Sequence, residues 1–125
     1  MNSTLFVCVT CRGGTDAPAE IRSGARLLAA VEAQNATVAA GLAVVPVECL
    51  SNCERGCTAA VTAPGKWTYV IGHLDPDRHA ADILAFARLH HGTADGLTVW
   101  RERPVHIRKN TIARVPPMSS LKEQP

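Results

Sequence analysis

Short β-branched runs alternate along the chain with stretches of one-sided apolar periodicity. Leu5 to Val9 is apolar and β-branched and reads as a buried strand. Gly13-Gly14-Thr15-Asp16 breaks it. Thr15 or Asp16 offers a helix cap, and Pro18 suits a first helical turn, where a missing N–H costs nothing. Ile21, Ala25, Leu28 and Val31 then recur at steps of four and three, which predicts an amphipathic helix to about Asn35 with those residues inward. Leu42 to Val47 reads as a second strand. Pro46 places it at a sheet edge or end, since proline donates no ladder bond. Thr58 to Ala63 and Lys66 to Ile71 read as antiparallel neighbours, and Ala63-Pro64-Gly65-Lys66 between them fits a type II turn. Asp75-Pro76-Asp77 opens a second helix with Ala80, Ile83, Leu84 and Ala87 inward, stopping before Gly92. Beyond it the pattern weakens. Pro104, Pro116 and Pro117 predict an extended tail with one short strand near Val105–Ile107.

The order is strand, helix, strand, cysteine-rich segment, hairpin, helix. A strand–helix–strand unit forces a parallel pair with a right-handed crossover. Adding an antiparallel pair gives an α/β domain with a mixed four-stranded sheet, two main helices and an extended C-terminal tail. That matches the thioredoxin-like arrangement, although other small α/β layouts use the same elements. The predicted domain covers residues 1–92, and residues 93–125 form a basic, proline-containing extension packed on it or trailing it.

A chain of 125 residues with 46% hydrophobic and 19% charged residues can bury a real core, so it does not need a metal merely to fold. No apolar run approaches the roughly 20 residues that span a bilayer, and Leu5 to Val9 is too short for a signal-peptide core. The expected location is the cytoplasm, without membrane attachment. There thiols stay reduced, and five cysteines also fit a fully paired disulfide framework poorly.

The net charge of +2 hides an asymmetry. From Trp100 onward Arg101, Arg103, Arg108, Lys109, Arg114 and Lys122 face only Glu102 and Glu123, a net of +4, leaving −2 on the first 99 residues. The basic segment suits an acidic partner, such as a redox partner protein, or a phosphate group, and a solvated tail packed along the domain accounts for it as well. Trp100 with Arg101 and Arg103 is the candidate docking group, and a homodimer stays open. Aromatic residues are only 4% and do not interleave with the basic ones, which argues against nucleic acid. No Ser/His/Asp set, phosphate-binding glycine loop or paired carboxylates stand out, so a carrier or metal-binding protein is expected rather than an enzyme. His73, His79, His90, His91 and His106 are scattered and read as surface residues.

The cysteines run Cys8-x2-Cys11, then Cys49-x3-Cys53-x3-Cys57. Each group follows one of two parallel strands, so both emerge at the carboxyl end of the sheet and can share one centre. Thiolates are soft ligands that suit zinc and iron–sulfur clusters. A 2Fe-2S cluster takes four of them, and two separated pairs match that count. A 4Fe-4S cluster would accept four of the five as well. Zinc is the main rival, but its pairs usually keep two-residue spacings in both arms. Dithiol exchange needs a cysteine at a helix N-terminus, and Arg12-Gly13-Gly14-Thr15 delays the helix after Cys11. Gly13, Gly14 and Gly56 would let backbone N–H groups approach sulfur. Cys57 is the extra thiol, an alternate ligand or a small buried residue.

The segment from Cys49 to about His90 resembles the thioredoxin-like 2Fe-2S ferredoxins. The carrying residues are Cys49-Leu50 with Cys53, Arg55-Gly56, the hairpin Ala63-Pro64-Gly65-Lys66-Trp67-Thr68-Tyr69, the final helix, and Phe6-Val7-Cys8. The resemblance implies electron transfer through a cluster held by Cys8, Cys11, Cys49 and Cys53. The N-terminal pair is closer together than in that family, and Cys57 stands where a proline is common. Nearly the whole chain, Trp100-Arg101-Glu102-Arg103-Pro104 included, is also similar to a family of small bacterial predicted metal-binding proteins often encoded beside cobalamin-biosynthesis genes. That likeness implies a redox or metal-handling role near corrin-ring synthesis.

Overall fold

The computed structural model describes residues 3–10, 23–36, 42–48, 50 and 56–117. Five strands form one sheet in the order β2-β1-β3-β4-β5. They are β1 (Thr4–Cys8), β2 (Ala43–Val47), β3 (Ala59–Thr62), β4 (Thr68–Ile71) and β5 (Thr111–Val115). The helices are α1 (Ser23–Asn35), α2 (Ala80–His91) and the short α3 (Val105–Asn110), with a single 3-10 turn at Trp100–Glu102. β1 pairs β2 in parallel and β3 antiparallel, and β3–β4 and β4–β5 are antiparallel.

Register explains the core. Leu5, Val61 and Tyr69 stand opposite one another in one row, and Val7, Ala59 and Ile71 in the next. All six are fully buried, because α1 and α2 cover this face with Leu27, Val31, Ile83, Leu84, Phe86 and Ala87. Tyr69 meets Phe86 edge to face, with ring centres 5.1 Å apart, a favoured aromatic geometry. Each such apolar side chain contributes on the order of 1.5–3 kcal/mol on leaving water.

β2 is an edge strand, as Pro46 requires. The type II turn is present: Gly65 has φ 74°, which glycine adopts without a Cβ clash, and the Lys66 N–H closes the turn on the Ala63 carbonyl at 3.1 Å. All four residues expected inward on the second helix are buried. That helix begins at Ala80, because residues 75–79 form a turn of their own, with both Arg78 and His79 N–H groups donating to the Asp75 carbonyl.

Three expectations need correction. The sheet has five strands, not four, since residues 111–115 pair with β4. Val105–Ile107 begins a helix, with Pro104 supplying the residue before its first turn. On α1 Val31 is buried as expected, but Gly24 and Leu27 share its face, each one position earlier than Ala25 and Leu28. Leu28 packs only partly against the core. Ile21 lies outside the described residues.

Candidate metal centre

β1 and β2 run parallel, so their carboxyl ends share one edge of the sheet. Cys8 is the last residue of β1 and pairs with Val47, the last of β2. Its N–H donates to the Thr58 carbonyl at 3.0 Å, which brings the start of β3 to the same edge. The Cys8 Sγ lies 3.7 Å from the Glu48 carbonyl and 3.7 Å from Thr10 Oγ1, and Thr10 Oγ1 also donates to the Glu48 carbonyl. Residue 57 continues this edge: its N–H donates to the Leu74 carbonyl at 3.3 Å, and the Leu74 N–H donates back at 3.0 Å.

Cys8 and Cys57 are thus the two described thiols, both buried. Burial pushes the Cys57 thiol up to about 11, and the neighbouring Cys8 and Asp75 add to the rise while Arg26 opposes it. At neutral pH Cys57 is therefore a protonated thiol and no nucleophile. Cys11, Cys49 and Cys53 lie outside the described residues. Among the described residues no three His, Cys, Asp or Glu side chains group as metal ligands. What is present fits a thiolate-held centre in donor chemistry: two sulfurs lie at one edge, beside the Glu48 carbonyl.

A cleft of about 320 Å³ opens beside this edge, lined by Gly56, His73, Leu74 and Asp75 and closed on one side by Arg26 and Asp77. The Arg26 guanidinium donates to both Asp77 carboxylate oxygens, at 2.8 and 2.9 Å. Both partners are exposed, so the pair contributes at most about 1 kcal/mol.

Four histidines are half-buried or exposed, but His90 is fully buried, contrary to the surface expectation. Its Nε2–H donates to the Trp67 carbonyl at 2.6 Å, and the Ser3 hydroxyl donates to its Nδ1 at 2.6 Å. Burial holds its pKa below the ordinary value, the Trp67 bond opposing this. Lys66 is buried too. Its Nζ donates to the His90 and His91 carbonyls at 3.0 and 2.9 Å, satisfying the negative end of α2. Arg103, expected outward with Trp100 and Arg101, turns in. It donates to Thr98 Oγ1 and the Thr98 carbonyl and lies 5.2 Å from the Tyr69 ring centre. No local signal separates these residues from surface ones; apart from Thr98, their partners are distant in sequence.

The fold is thioredoxin-like. The chain superposes on a thioredoxin-like 2Fe-2S ferredoxin from Aquifex aeolicus with a TM-score of 0.60 at 17% identity, covering 94% of this chain and 96% of that one. A cysteine-to-serine variant of the thioredoxin-like 2Fe-2S ferredoxin from the same organism gives 0.57 at 18%, over 89% and 98%. The chain belongs to the family described as a protein of unknown function, DUF1636, whose model matches residues 5–117. No curated protein matches it. No helix among the described residues is long and apolar enough to cross a membrane.

Proposed function

We propose that this chain is an electron carrier holding a 2Fe-2S cluster on Cys8, Cys11, Cys49 and Cys53, with Cys57 standing beside the centre. The observation that carries the reading is the meeting of Cys8, the Glu48 carbonyl and Cys57 at one sheet edge. Glu48 directly precedes Cys49 in the chain, and Cys11 follows Cys8 by three residues. The short span between these residues favours a shared centre. The likeness in fold to 2Fe-2S ferredoxins supports the cluster type.

When bound, such a cluster accepts and releases one electron, at a potential set by hydrogen bonds to sulfur and by solvent access. This chain's part is to hold the thiols at the edge and to pack a buried core beneath. Cytoplasmic location and service to corrin-ring synthesis complete the proposal, the latter resting on the sequence likeness alone.

Anaerobic purification followed by absorption and electron paramagnetic resonance spectra tests it. A brown protein bleached by dithionite is expected. A colourless protein with one zinc per chain would replace the carrier by a zinc-binding interaction module.

A further inference from the structure

Six large apolar residues are exposed among the described ones, and four of them fall within nine positions: Leu97 (37% exposed), Val99 (50%), Trp100 (56%) and Val105 (56%). This segment is held firmly from beneath. The Arg103 guanidinium sits between two rings, 5.2 Å from the centre of Tyr69 and 5.5 Å from that of Trp100. Thr98 anchors the same guanidinium twice. The Arg108 Nε–H donates to the Arg103 carbonyl at 3.1 Å, and the Glu102 N–H to the Val99 carbonyl at 3.0 Å. Trp100 is therefore presented to solvent on a fixed support, so little conformational entropy is lost when something packs on it.

The rim is basic. Arg101 and Lys109 are exposed and Arg108 is half-buried, against the single carboxylate of Glu102. An exposed indole with basic neighbours has the composition of an interface centre. α3 also leads to the thiol edge. Thr111 pairs with Ile71, Ile71 with Ala59, and Ala59 with Val7, which precedes Cys8. The Gly72 N–H donates to the Asn110 carbonyl at 3.0 Å. Lys109, just before β5, thus stands toward the same end of the sheet as Cys8, three strands across.

We infer that Leu97–Lys109 is a docking surface for an acidic electron-transfer protein, one whose own contact face is apolar and ringed by carboxylates. The identity of the occupant rests on the carrier reading above; the surface itself does not. Opposite charge steers the encounter and Trp100 supplies the apolar contact. A lipid surface fits less well, because interfacial binding takes a helix with a continuous apolar face opposite a polar one, and here the apolar residues are divided between a 3-10 turn carrying Glu102 and a separate short helix.

Binding of the full chain to an acidic flavodoxin, measured by calorimetry, tests the inference without requiring a cluster. Basic cytochrome c and phosphatidylglycerol vesicles serve as the other arms. Binding to the flavodoxin should weaken about tenfold in the Arg101→Glu/Lys109→Glu double variant and on raising salt, and about tenfold in Trp100→Ala. Trp100 is exposed, so its truncation leaves the fold intact, and circular dichroism of each variant checks this. The inference is overturned if the flavodoxin does not bind at low salt. Binding that ignores all three changes overturns it too, as does a Trp100-dependent preference for the vesicles or for cytochrome c. Absence of a cluster would show in the absorption spectrum alone, so the two readings fail separately.

Discussion

The imidazoles of His79 and His106 are stacked, with ring centres 3.7 Å apart and planes 19° from parallel. The Asp75 N–H donates to His79 Nδ1, while His106 Nε2–H faces the Gly72 carbonyl and Asn110 donates to its Nδ1. The Asp75 bond leaves the His79 ring proton on Nε2, and the stacked pair pins α3 to the start of α2. Burial and then the neighbouring His106 hold the His79 pKa below 6.5. Replacing His106 by Asn removes that neighbour, so the His79 pKa should move up toward 6.5 in an NMR titration. No change would mean the stack does not couple the rings.

His90 bridges three distant segments while buried. His90→Ala leaves the Ser3 hydroxyl and Trp67 carbonyl unpartnered and opens a cavity, a loss of about 3 kcal/mol in urea unfolding. The same residue gives a pH dependence. Its folded pKa lies below the ordinary 6.5, so as pH falls through 6.5 the unfolded chain binds a proton that the folded chain refuses. The stability it supports is full above 6.5 and is lost as pH falls toward the lowered folded value. His79 acts in the same direction. The urea midpoint should drop between pH 7 and pH 5, and less steeply in His90→Gln.

Two glycines near the end of α2 should respond differently to alanine. Gly96 has φ +85°, and a Cβ there would stand 2.7 Å from the Trp67 backbone nitrogen and 2.9 Å from His90 Nε2. Gly96→Ala should cost about 2 kcal/mol or more, since backbone must move and the left-handed conformation penalises a side chain. At Gly92 the nearest atoms lie at 3.5 and 3.7 Å, and φ is −79°. Gly92→Ala should therefore be neutral or stabilise by a few tenths, roughly the entropy removed from the unfolded chain. Thermal unfolding of the pair decides this.

Cys8 and Cys57 separate ligand from neighbour. Cys8→Ser should strip or alter the cluster absorption bands. Cys57→Ser should leave them intact while lowering stability by about 1–3 kcal/mol, because a hydroxyl replaces a thiol in the dry core. Loss of the bands in the second variant would make Cys57 a ligand.

Much of the fold is legible in local pattern. The β-branched runs mark the central strands, Pro-Gly sets the hairpin, and the spacing of Ala80, Ile83, Leu84 and Ala87 sets the face of α2. β5 is not legible, because Thr111–Val115 becomes a strand by pairing with β4, a partner about forty residues away by sequence number. On α1 Val31 is inward as its spacing predicts, while Gly24 and Leu27 take the places expected of Ala25 and Leu28; an apolar count passes over a buried glycine. Arg103 and His90 look like surface residues until Tyr69, Thr98, Ser3 and Trp67 are placed around them. The thiols announce their chemistry by type and number. The two described thiols, Cys8 and Cys57, come to one edge through the antiparallel β1–β3 pair, which no cysteine spacing announces, and the choice of four from five has no sequence signal.

β5 also has a bearing on how the chain behaves when cut. It occupies the free hydrogen-bonding side of β4 and is followed at once by Pro116 and Pro117, which offer no N–H to a further strand. A shortened chain ending before α3 would leave β4 as an open template beside the hairpin. Such a fragment would stack on its own kind, so the carboxyl segment guards the molecule against self-association.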